Sequence, residues 1–156
     1  MQKVISSAIV HGVYIVTVQA QGRKKGRKNG MTAAWVSQVS FKPPLVMVSI
    51  APARYTYKLI KNSGYFAINT LSEDQFMLAK HFGFQTGRKV DKLAKIEHFE
   101  AGHGSPVIKD ALAYIECKVI DTHEAGDHTL FIGEVIEGKV LKEEKGPLLF
   151  IWEKFF

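Results

Sequence analysis

The chain has 156 residues, 46% of them apolar, and its 21 Lys and Arg outnumber its 15 Asp and Glu to give a net charge of +6. This length predicts one domain, residues 1–156, with enough apolar residues for a core. No apolar run approaches the ~20 residues of a membrane helix, and the first residues lack the apolar stretch of a signal peptide. A single cysteine excludes an internal disulfide and a cysteine-based metal cluster. We therefore expect a cytoplasmic protein with no membrane partner.

The first half of the chain reads as strands interrupted by short helices. β-branched and aromatic residues mark the strands. The two prolines at 43–44 interrupt regular secondary structure because each removes a backbone donor, and Asn29-Gly30 is a turn signal. Ser72-x-x-Gln75 fits a capping box, which predicts a helix starting at Ser72. In chain order we predict a strand at 14–20, a loop at 21–30, strands at 31–39 and 45–50, a helix at 54–62, a strand at 65–71 and a helix at 72–82.

The second half gives the clearest β pattern. Residues 113–122 alternate in hydropathy, 124–127 form a turn, and 129–140 return as a second long strand. Gly133 and Gly138 are predicted to mark bulges or bends in that strand. A long glycine- and charge-rich loop over 84–105, with one short helix near 91–95, precedes this hairpin, and a last strand is predicted at 148–152. Antiparallel strands with a few short helices predict a mainly β fold, closed as a barrel that leaves no sheet edge exposed.

No familiar catalytic signature is present. The chain has no Gly-x-Ser-x-Gly elbow, no His-Glu-x-x-His pair and no phosphate-binding P-loop. Cys117 occupies an alternating strand position and is interpreted as a packed small apolar residue. His98 and His103 lie in the predicted loop without a metal-ligand spacing, and His123 with His128 flanks the hairpin turn; two histidines are a weak metal signal, so no metal is predicted.

The positive charge is clustered. Arg23 to Lys28 holds five basic residues, and a second patch holds Arg88, Lys89, Lys92 and Lys95. Such a run is either a solvated loop or a surface that attracts an anionic ligand such as a nucleotide phosphate, and the sequence leaves both readings open. Nucleic acid is not the expected partner, because there is no basic recognition helix and no aromatic-rich RNA motif.

Four motifs in order give the chain a resemblance to a known family. GMTAAWVSQVS, PPLVMVSIAP, RYTYKLIKNSGYFAINTL and GDHTLFIGEV resemble segments of the flavin reductase-like FMN-binding split-barrel proteins, which include flavoredoxins and ferric-reductase-like members. The likeness covers about residues 4 to 140. It implies an antiparallel Greek-key split β-barrel with FMN as the cofactor.

The resemblance also implies where FMN would lie. The phosphate and ribityl chain would contact Ser49, Arg54 and Thr56, with Lys89 as a further candidate, and the isoalloxazine ring would lie along Thr32, Ala33 and Ala34. Since many family members have serine or asparagine after that threonine, Ala34 and Trp35 leave the ring-edge hydrogen bonds mainly to backbone N–H groups. His128 would lie beside the flavin where nicotinamide stacks, as the catalytic residue. The implied cofactor-binding residues are Thr32, Ala33, Ala34, Trp35, Ser49, Ala51, Arg54, Thr56, His81, Phe82 and Lys89.

The leading function that the resemblance implies is NAD(P)H-dependent reduction of flavin or ferric iron by a homodimer with flavin sites at its interface. Hydride transfer between nicotinamide and flavin is carried out by the cofactors, so the lack of an acid–base pair is compatible with this function. A flavoredoxin-like FMN electron carrier that exchanges electrons with a redox protein is the alternative, and a non-redox flavin- or nucleotide-binding module is a third. The sequence does not distinguish NADH from NADPH or name the acceptor.

Overall fold

The structure is a computed structural model that describes residues 1–22 and 26–156. Three residues of the first basic cluster, Arg23, Lys24 and Lys25, therefore lie outside the described residues. The strands are β1 Tyr14–Gln19, β2 Lys28–Ala33, β3 Val36–Ser40, β4 Leu45–Ile50, β5 Tyr65–Thr70, β6 His98–Glu100, β7 Pro106–Ile108, β8 Ala113–Ala125 and β9 His128–Val140. The helices are α1 Gln2–Ala8, α2 Tyr55–Ser63, α3 Phe76–Gly83 and α4 Trp152–Phe155.

Seven strands form one antiparallel sheet in the order β2-β1-β5-β8-β9-β4-β3, and β6 pairs with β7 in a separate two-stranded sheet. Long-range pairing dominates: β4 joins β9 with Ser49 opposite Leu130, and β5 joins β1 with Ile68 opposite Val16. The predicted fold class, a mainly β antiparallel fold with a few short helices, is confirmed. In the described part of the chain, no helix has the length and apolar character needed to cross a membrane.

Strand β1 is buried on both of its faces because α2 and α3 cover opposite sides of the sheet. Val16 and Val18 join one core cluster with Leu59 of α2, whereas Ile15 joins a second cluster with Phe82 of α3. Successive strand residues point to opposite faces, so a strand covered on both sides reads as a continuous apolar run. This arrangement places β2, the neighbour of β1 at the sheet edge, between the two helices.

Strand β2 begins earlier than the sequence predicts. Lys28, Asn29 and Gly30 belong to the strand and pair with Gln19, Val18 and Thr17 of β1, so the predicted loop at 21–30 and its Asn-Gly turn are wrong at these positions. The register with β1 outweighs the local turn preference. A side chain at Gly30 would lie 3.0 Å from the ring of Phe82, so the glycine serves close packing.

Helix α3 begins at Phe76, four residues after the predicted start. One half of the predicted capping box is present, since the backbone N–H of Ser72 donates to Oε1 of Gln75 at 2.9 Å. The Ser72 hydroxyl instead donates to Asp74 Oδ1 at 2.6 Å, and Gln75 also reaches the carbonyl of Asp110. These contacts hold 72–75 as a turn in front of the helix.

The remaining differences lie in segments where tertiary contacts override local patterns. The predicted strand at 148–152 is wrong: Pro147 and Leu149 make only isolated bridges, to Ser72 and Gly12, and the chain then turns into α4. Residues 91–95 form a turn and not the predicted short helix. Strand β6 lies within the predicted loop at 84–105, and β7 lies directly after it. Helix α1 was not predicted, and it buries none of its residues.

The two long strands β8 and β9 carry their irregularities beside the glycines and not at them. The register shifts lie next to Ile120 and Ile136, whereas Gly133 and Gly138 remain paired with Val119 and Ile115. A Cβ at Gly133 would lie 2.7 Å from Cβ of Cys117 and 2.8 Å from Cζ of Phe66. Gly133 therefore permits close packing over the buried Cys117, and the predicted bulges at the glycines are wrong.

Candidate functional site

The candidate site is a groove along β2, formed by two adjoining cavities. We call them the Trp35 cavity, of about 320 Å3, and the Lys92 cavity, of about 510 Å3. Both are lined by Met31, Thr32, Arg54 and Phe156, so they form one continuous groove. A groove that runs between a sheet edge and helix ends is a common place for small ligands to bind.

The Trp35 cavity has a small-residue floor and an aromatic wall. Ala33 ends β2, Ser49 lies near the end of β4, and His128 begins β9, so three strand ends converge here. The opposite wall comes from the two ends of the chain. The lining residues are Gln2, Ile5, Ser6, His11, Met31, Thr32, Ala33, Ala34, Trp35, Ser49, Ala51, Arg54, His128, Phe150, Trp152 and Phe156.

The Lys92 cavity lies at the start of α2 and beneath the loop that follows α3. The first turn of α2 contributes Tyr55 and Thr56, whose backbone N–H groups form the positive end of the helix dipole. The lining residues are Asn29, Met31, Thr32, Ala53, Arg54, Tyr55, Thr56, Phe82, Gly83, Phe84, Gln85, Thr86, Gly87, Arg88, Lys92 and Phe156. Three of these residues are cationic and none is acidic, which suits an anionic ligand.

Lys92 is the most informative residue of this cavity. Its side chain is buried, and its ammonium donates to the backbone carbonyls of Gly30 at 2.9 Å and of Phe82 at 2.8 Å. Burial, together with the nearby charge of Arg54, lowers the pKa of Lys92 to about 8. The ammonium has three donors and two are used here. Among the described residues no carboxylate pairs with it, so a buried positive charge faces a cavity uncompensated.

Asn29 and Thr56 add a polar corner to the same cavity. Asn29 Nδ2 donates to Thr56 Oγ1 at 2.9 Å, and both side chains are buried. Asn29 Oδ1 has no hydrogen-bond partner among the described residues. A buried acceptor without a partner costs about 1–3 kcal/mol, and because Oδ1 is closed to solvent the folded chain carries this cost.

His128 lies at the rim of the Trp35 cavity. Its ring packs against the indole of Trp35 with 4.8 Å between the centroids. Nδ1 donates to Oδ1 of Asp127 at 2.7 Å, and this contact lowers the pKa of the exposed Asp127 carboxyl. With Nδ1 engaged, Nε2 is the ring nitrogen left for a ligand.

The structure brings most of the sequence-predicted residues together. The residues that line the Trp35 cavity are Thr32, Ala33, Ala34, Trp35, Ser49, Ala51, Arg54 and His128. Thr56 and Phe82 line the Lys92 cavity, which Arg54 and Thr32 share. The Thr32 hydroxyl donates to the carbonyl of Ala79 at 2.6 Å, so its proton is directed to α3 and away from the groove.

Two predicted residues lie elsewhere. Lys89 lines a separate basic pocket beyond the Lys92 cavity. His81 lines neither cavity of the described groove; its Nε2 donates to the carbonyl of Lys92 at 2.7 Å, and Gln85 donates to its Nδ1 at 3.1 Å. In this structure His81 holds the backbone of Lys92, and its contact with the cofactor stays a prediction.

Sequence reasoning missed several lining residues. Lys92 was visible only as one of four basic residues, because nothing in the local pattern indicates which lysine is buried. The Asn-Gly pattern predicts a turn at Asn29. In the structure Asn29 belongs to β2, and its side chain is buried beside Thr56. Trp152 and Phe156 also line the groove, and no local signal marks the return of this segment to β2.

Three further histidines, His98, His103 and His123, contact neighbouring groups outside the groove. His98 Nδ1 donates to the carbonyl of Ile96, and the ring of His103 stacks on Tyr65 at 4.4 Å, while His123 Nε2 lies 3.0 Å from Asp121 Oδ2. Within residues 1–22 and 26–156, no group of three or more His, Cys, Asp or Glu side chains is arranged to hold a metal ion.

Known proteins with similar sequences and structures identify the family of this chain. The family model of the flavin reductase like domain matches residues 6–156. Diflavin flavoprotein A 1 of Synechocystis sp. is 39% identical over 134 residues, which make up 85% of this chain and 23% of that protein. The chain spans between 22% and 57% of the length of the curated relatives it matches.

Solved structures match over nearly the whole chain. Flavin reductase PheA2 is 40% identical, with a TM-score of 0.81 over 96% of this chain and 90% of that one. The NADH:FAD oxidoreductase SgcE6 of Streptomyces globisporus C-1027 is 29% identical, with a TM-score of 0.86 over 96% of this chain and 86% of that one. The chain therefore belongs to the flavin reductase-like family of flavin-linked oxidoreductase domains.

Proposed function

We propose that residues 1–156 form one FMN-binding domain that catalyses NAD(P)H-dependent reduction of flavin or ferric iron. The observation that carries this proposal is the polarity of the groove. One end is apolar and aromatic beside Ala34, Trp35 and His128, and the other end holds a buried cation without a carboxylate partner, Lys92. FMN has the same polarity, with a flat ring at one end and a phosphate at the other.

The residues present fit this cofactor. The phosphate would be held by Lys92, Arg54 and the first turn of α2, where charge and N–H groups favour an anion. Arg54 provides a planar, permanently charged fork suited to phosphate. Ser49, which lines the Trp35 cavity together with Arg54, would contact the ribityl chain.

The chain contributes binding and orientation more than chemistry. Bound FMN supplies the capacity to accept and pass on electrons, which no side chain of the groove provides. Trp35 fixes the position of the His128 ring, and Asp127 fixes its proton on Nδ1. His128 would then orient a nicotinamide carboxamide through Nε2. The structural relative named as an NADH:FAD oxidoreductase supports a nicotinamide co-substrate.

The test is the absorbance spectrum of the purified protein titrated with FMN and then treated with NADH or NADPH without oxygen. We expect about one FMN per chain, followed by bleaching of the flavin band. Arg54→Ala should weaken FMN more than riboflavin, because only FMN carries the phosphate. Failure to bind FMN at micromolar concentration contradicts the proposal.

We also propose that the protein is a homodimer. Exposed apolar side chains occur on the edge strand β3 and just after it, where Val39 is 52% and Phe41 85% exposed, and on β8, where Ile120 is 47% exposed. Apolar surface of this kind marks interaction sites. Light scattering should give about twice the chain mass of 17.5 kDa, and Phe41→Asp should lower it to one chain. Met77→Asp is the control, because Met77 on α3 is also strongly exposed, at 72%.

A flavoredoxin-like electron carrier is the second candidate. The observation that favours it is that the chain matches only 23% of the length of a diflavin flavoprotein, so a related segment works there within a larger flavoprotein. For such a carrier, NAD(P)H would reduce the bound FMN slowly, and a reduced ferredoxin or rubredoxin would do so quickly. The opposite order of rates supports the NAD(P)H-dependent enzyme.

A further inference from the structure

One wall of the Trp35 cavity has no role in the flavin binding proposed above. It is formed by the cavity-lining residues of segments 2–11 and 150–156, and we call it the terminal wall. Helices α1 and α4 lie in these two segments, and Lys3 of α1 pairs with Glu153 of α4 at 2.8 Å. The terminal wall is therefore built from two segments that hold each other, opposite the strand ends on which the flavin ring would lie.

The aromatic part of the terminal wall is preformed. The ring centroid of Trp152 lies 6.4 Å from that of Phe150 and 4.7 Å from that of Phe156, and all three residues line the cavity. Aromatic side chains pack well against flat rings. Because these rings already contact one another, they lose little freedom when a ligand binds. The terminal wall is thus suited to a flat ligand.

The terminal wall also brings no charge to the cavity. Among the described residues that line the Trp35 cavity, Arg54 is the one Lys, Arg, Asp or Glu, and it belongs to the side shared with the Lys92 cavity. Ferric iron is a hard ion that takes carboxylate and other oxygen ligands, and none of these lining residues is a carboxylate. A neutral flat molecule therefore fits this wall better than a ferric complex does.

His11 supplies the terminal wall with a hydrogen-bonding ring on a fixed backbone. The carbonyl of His11 accepts the backbone N–H of Phe150 at 2.9 Å, and the ring is partly buried. Within residues 1–22 and 26–156, the histidine rings that hydrogen-bond to the protein are those of His81, His98, His103 and His128. The His11 ring therefore keeps its N–H for a ligand in the cavity, since a neutral imidazole has one donor and one acceptor.

We propose that the terminal wall is an acceptor subsite, where Phe150 and Trp152 pack against a neutral quinone and His11 donates a hydrogen bond to its carbonyl oxygen. The inference rests on the proposed function, because the quinone receives its electrons through the flavin bound in the same cavity. It adds quinone reduction to that function and names His11 as the residue that orients the acceptor. Since the flavin ring takes part of the cavity of about 320 Å3, the space left suits one or two fused rings.

The reaction is a two-electron reduction with NAD(P)H as the reductant. The C–H bond of the dihydronicotinamide breaks, and its hydride supplies two electrons and one proton, which pass to the quinone through the bound flavin. Water supplies the second proton. Two O–H bonds form on the former carbonyl oxygens, and the products are the hydroquinone and NAD(P)+.

The test uses the FMN-loaded protein and menadione, a neutral quinone of two fused rings, whose binding is measured by equilibrium dialysis without a reductant. We expect one menadione per chain, and we expect His11→Ala to weaken it about 5- to 10-fold, as for one lost hydrogen bond. His11→Gln keeps an N–H donor and should restore most of the affinity. His123→Ala is the matched control, because His123 lines neither cavity of the groove. A thermal melt and the FMN content verify that each variant folds.

Steady-state reduction of menadione and of ferric citrate by NADH gives a second readout. His11→Ala should raise the KM for menadione by a similar factor with little change in kcat, as expected when an interaction that only binds the substrate is lost. Reduction of ferric citrate should change less than about twofold.

Equal losses with menadione and ferric citrate, or a His11→Gln variant as weak as His11→Ala, would mean that His11 only shapes the wall, and its contact with the acceptor would be overturned. If the FMN-loaded wild type binds no menadione, the acceptor subsite is wrong while the proposed flavin function stands. If the wild type binds no FMN, the proposed function fails first, and the FMN titration shows this separately.

Discussion

His128 and Trp35 lie ring against ring at the rim of the groove, with 4.8 Å between their centroids and 50° between their planes. Trp35 lies between β2 and β3 whereas His128 begins β9, and the two residues are 93 positions apart in sequence. Since Nδ1 of His128 also donates to Asp127, the imidazole is fixed on two sides. A side chain fixed in this way can orient a ligand without losing much rotational freedom on binding.

His128→Ala should therefore keep FMN bound and slow its reduction by NAD(P)H. Losing one hydrogen bond to the nicotinamide costs about 1–2 kcal/mol, which is about 5- to 30-fold in rate. Stopped-flow absorbance at the flavin band measures the rate directly. His123→Ala is the matched control, because His123 lies in the same hairpin and pairs with Asp121 away from the groove. A variant reduced at the wild-type rate would leave His128 a hairpin residue only and favour the carrier.

Lys92→Met should weaken FMN much more than riboflavin. The substitution keeps an unbranched side chain and removes the buried charge that would face the phosphate. A charge-assisted hydrogen bond contributes about 1.5–3 kcal/mol, so we expect a loss of about 10- to 150-fold in FMN affinity. Titration calorimetry with both ligands gives the ratio. Lys95→Met removes an exposed charge from the same loop and should leave the ratio unchanged; a similar loss in both variants would mean that only long-range charge matters.

The affinity for FMN should fall as the pH rises above 8. The pKa of Lys92 is lowered to about 8 in the free protein, so below that pH the ammonium is already charged. Above it the free protein holds neutral Lys92, and binding the phosphate must first take up a proton. By linkage this makes FMN about tenfold weaker at pH 9 than at pH 7. Riboflavin should show a smaller change.

Calorimetry in buffers of different ionisation enthalpy would count the proton taken up when FMN binds. Lys92→Met should abolish this uptake, which separates Lys92 from other groups that titrate in the same range. The same pKa shift predicts that the free energy of unfolding of the free protein increases as the pH rises from 8 to 10.5. In this range the unfolded chain still holds a proton on Lys92 that the folded chain has lost. A flat FMN affinity from pH 7 to 9 would exclude Lys92 as a phosphate ligand.

Cys117 should not react with iodoacetamide in the native protein at pH 8. Its side chain is fully buried, and burial together with the charge of Glu116 raises the pKa of the thiol to about 12. Because the thiolate is the reactive form, both its low population and its lack of access prevent alkylation. Mass spectrometry should show no adduct on the native chain and one adduct after unfolding in guanidinium. Rapid native labelling would contradict the close packing of Gly133 over Cys117.

The sequence alone predicted those features that a local pattern encodes. Alternating or continuous apolar residues located β1, β4, β5, β8 and β9, and the helical spacing with a terminal glycine located α2. Four ordered motifs also led to site residues most of which line the groove, because many of them lie at or next to the ends of the same strands. Burial of Cys117 followed from its position in an alternating strand.

Tertiary structure alone decided the features that depend on partners distant in sequence. Lys28 and Asn29 are strand residues because β1 pairs with them, and His81 turns to the carbonyl of Lys92 because the loop after α3 folds back on that helix. The burial of Lys92 could not be predicted from the sequence, because lysine usually lies at the surface. Its buried position depends on hydrogen bonds from its ammonium to the carbonyls of Gly30 and Phe82, which only the folded chain brings close. Hydropathy patterns report the face a residue occupies, whereas the charge of the groove arises from side chains that only the folded chain brings together.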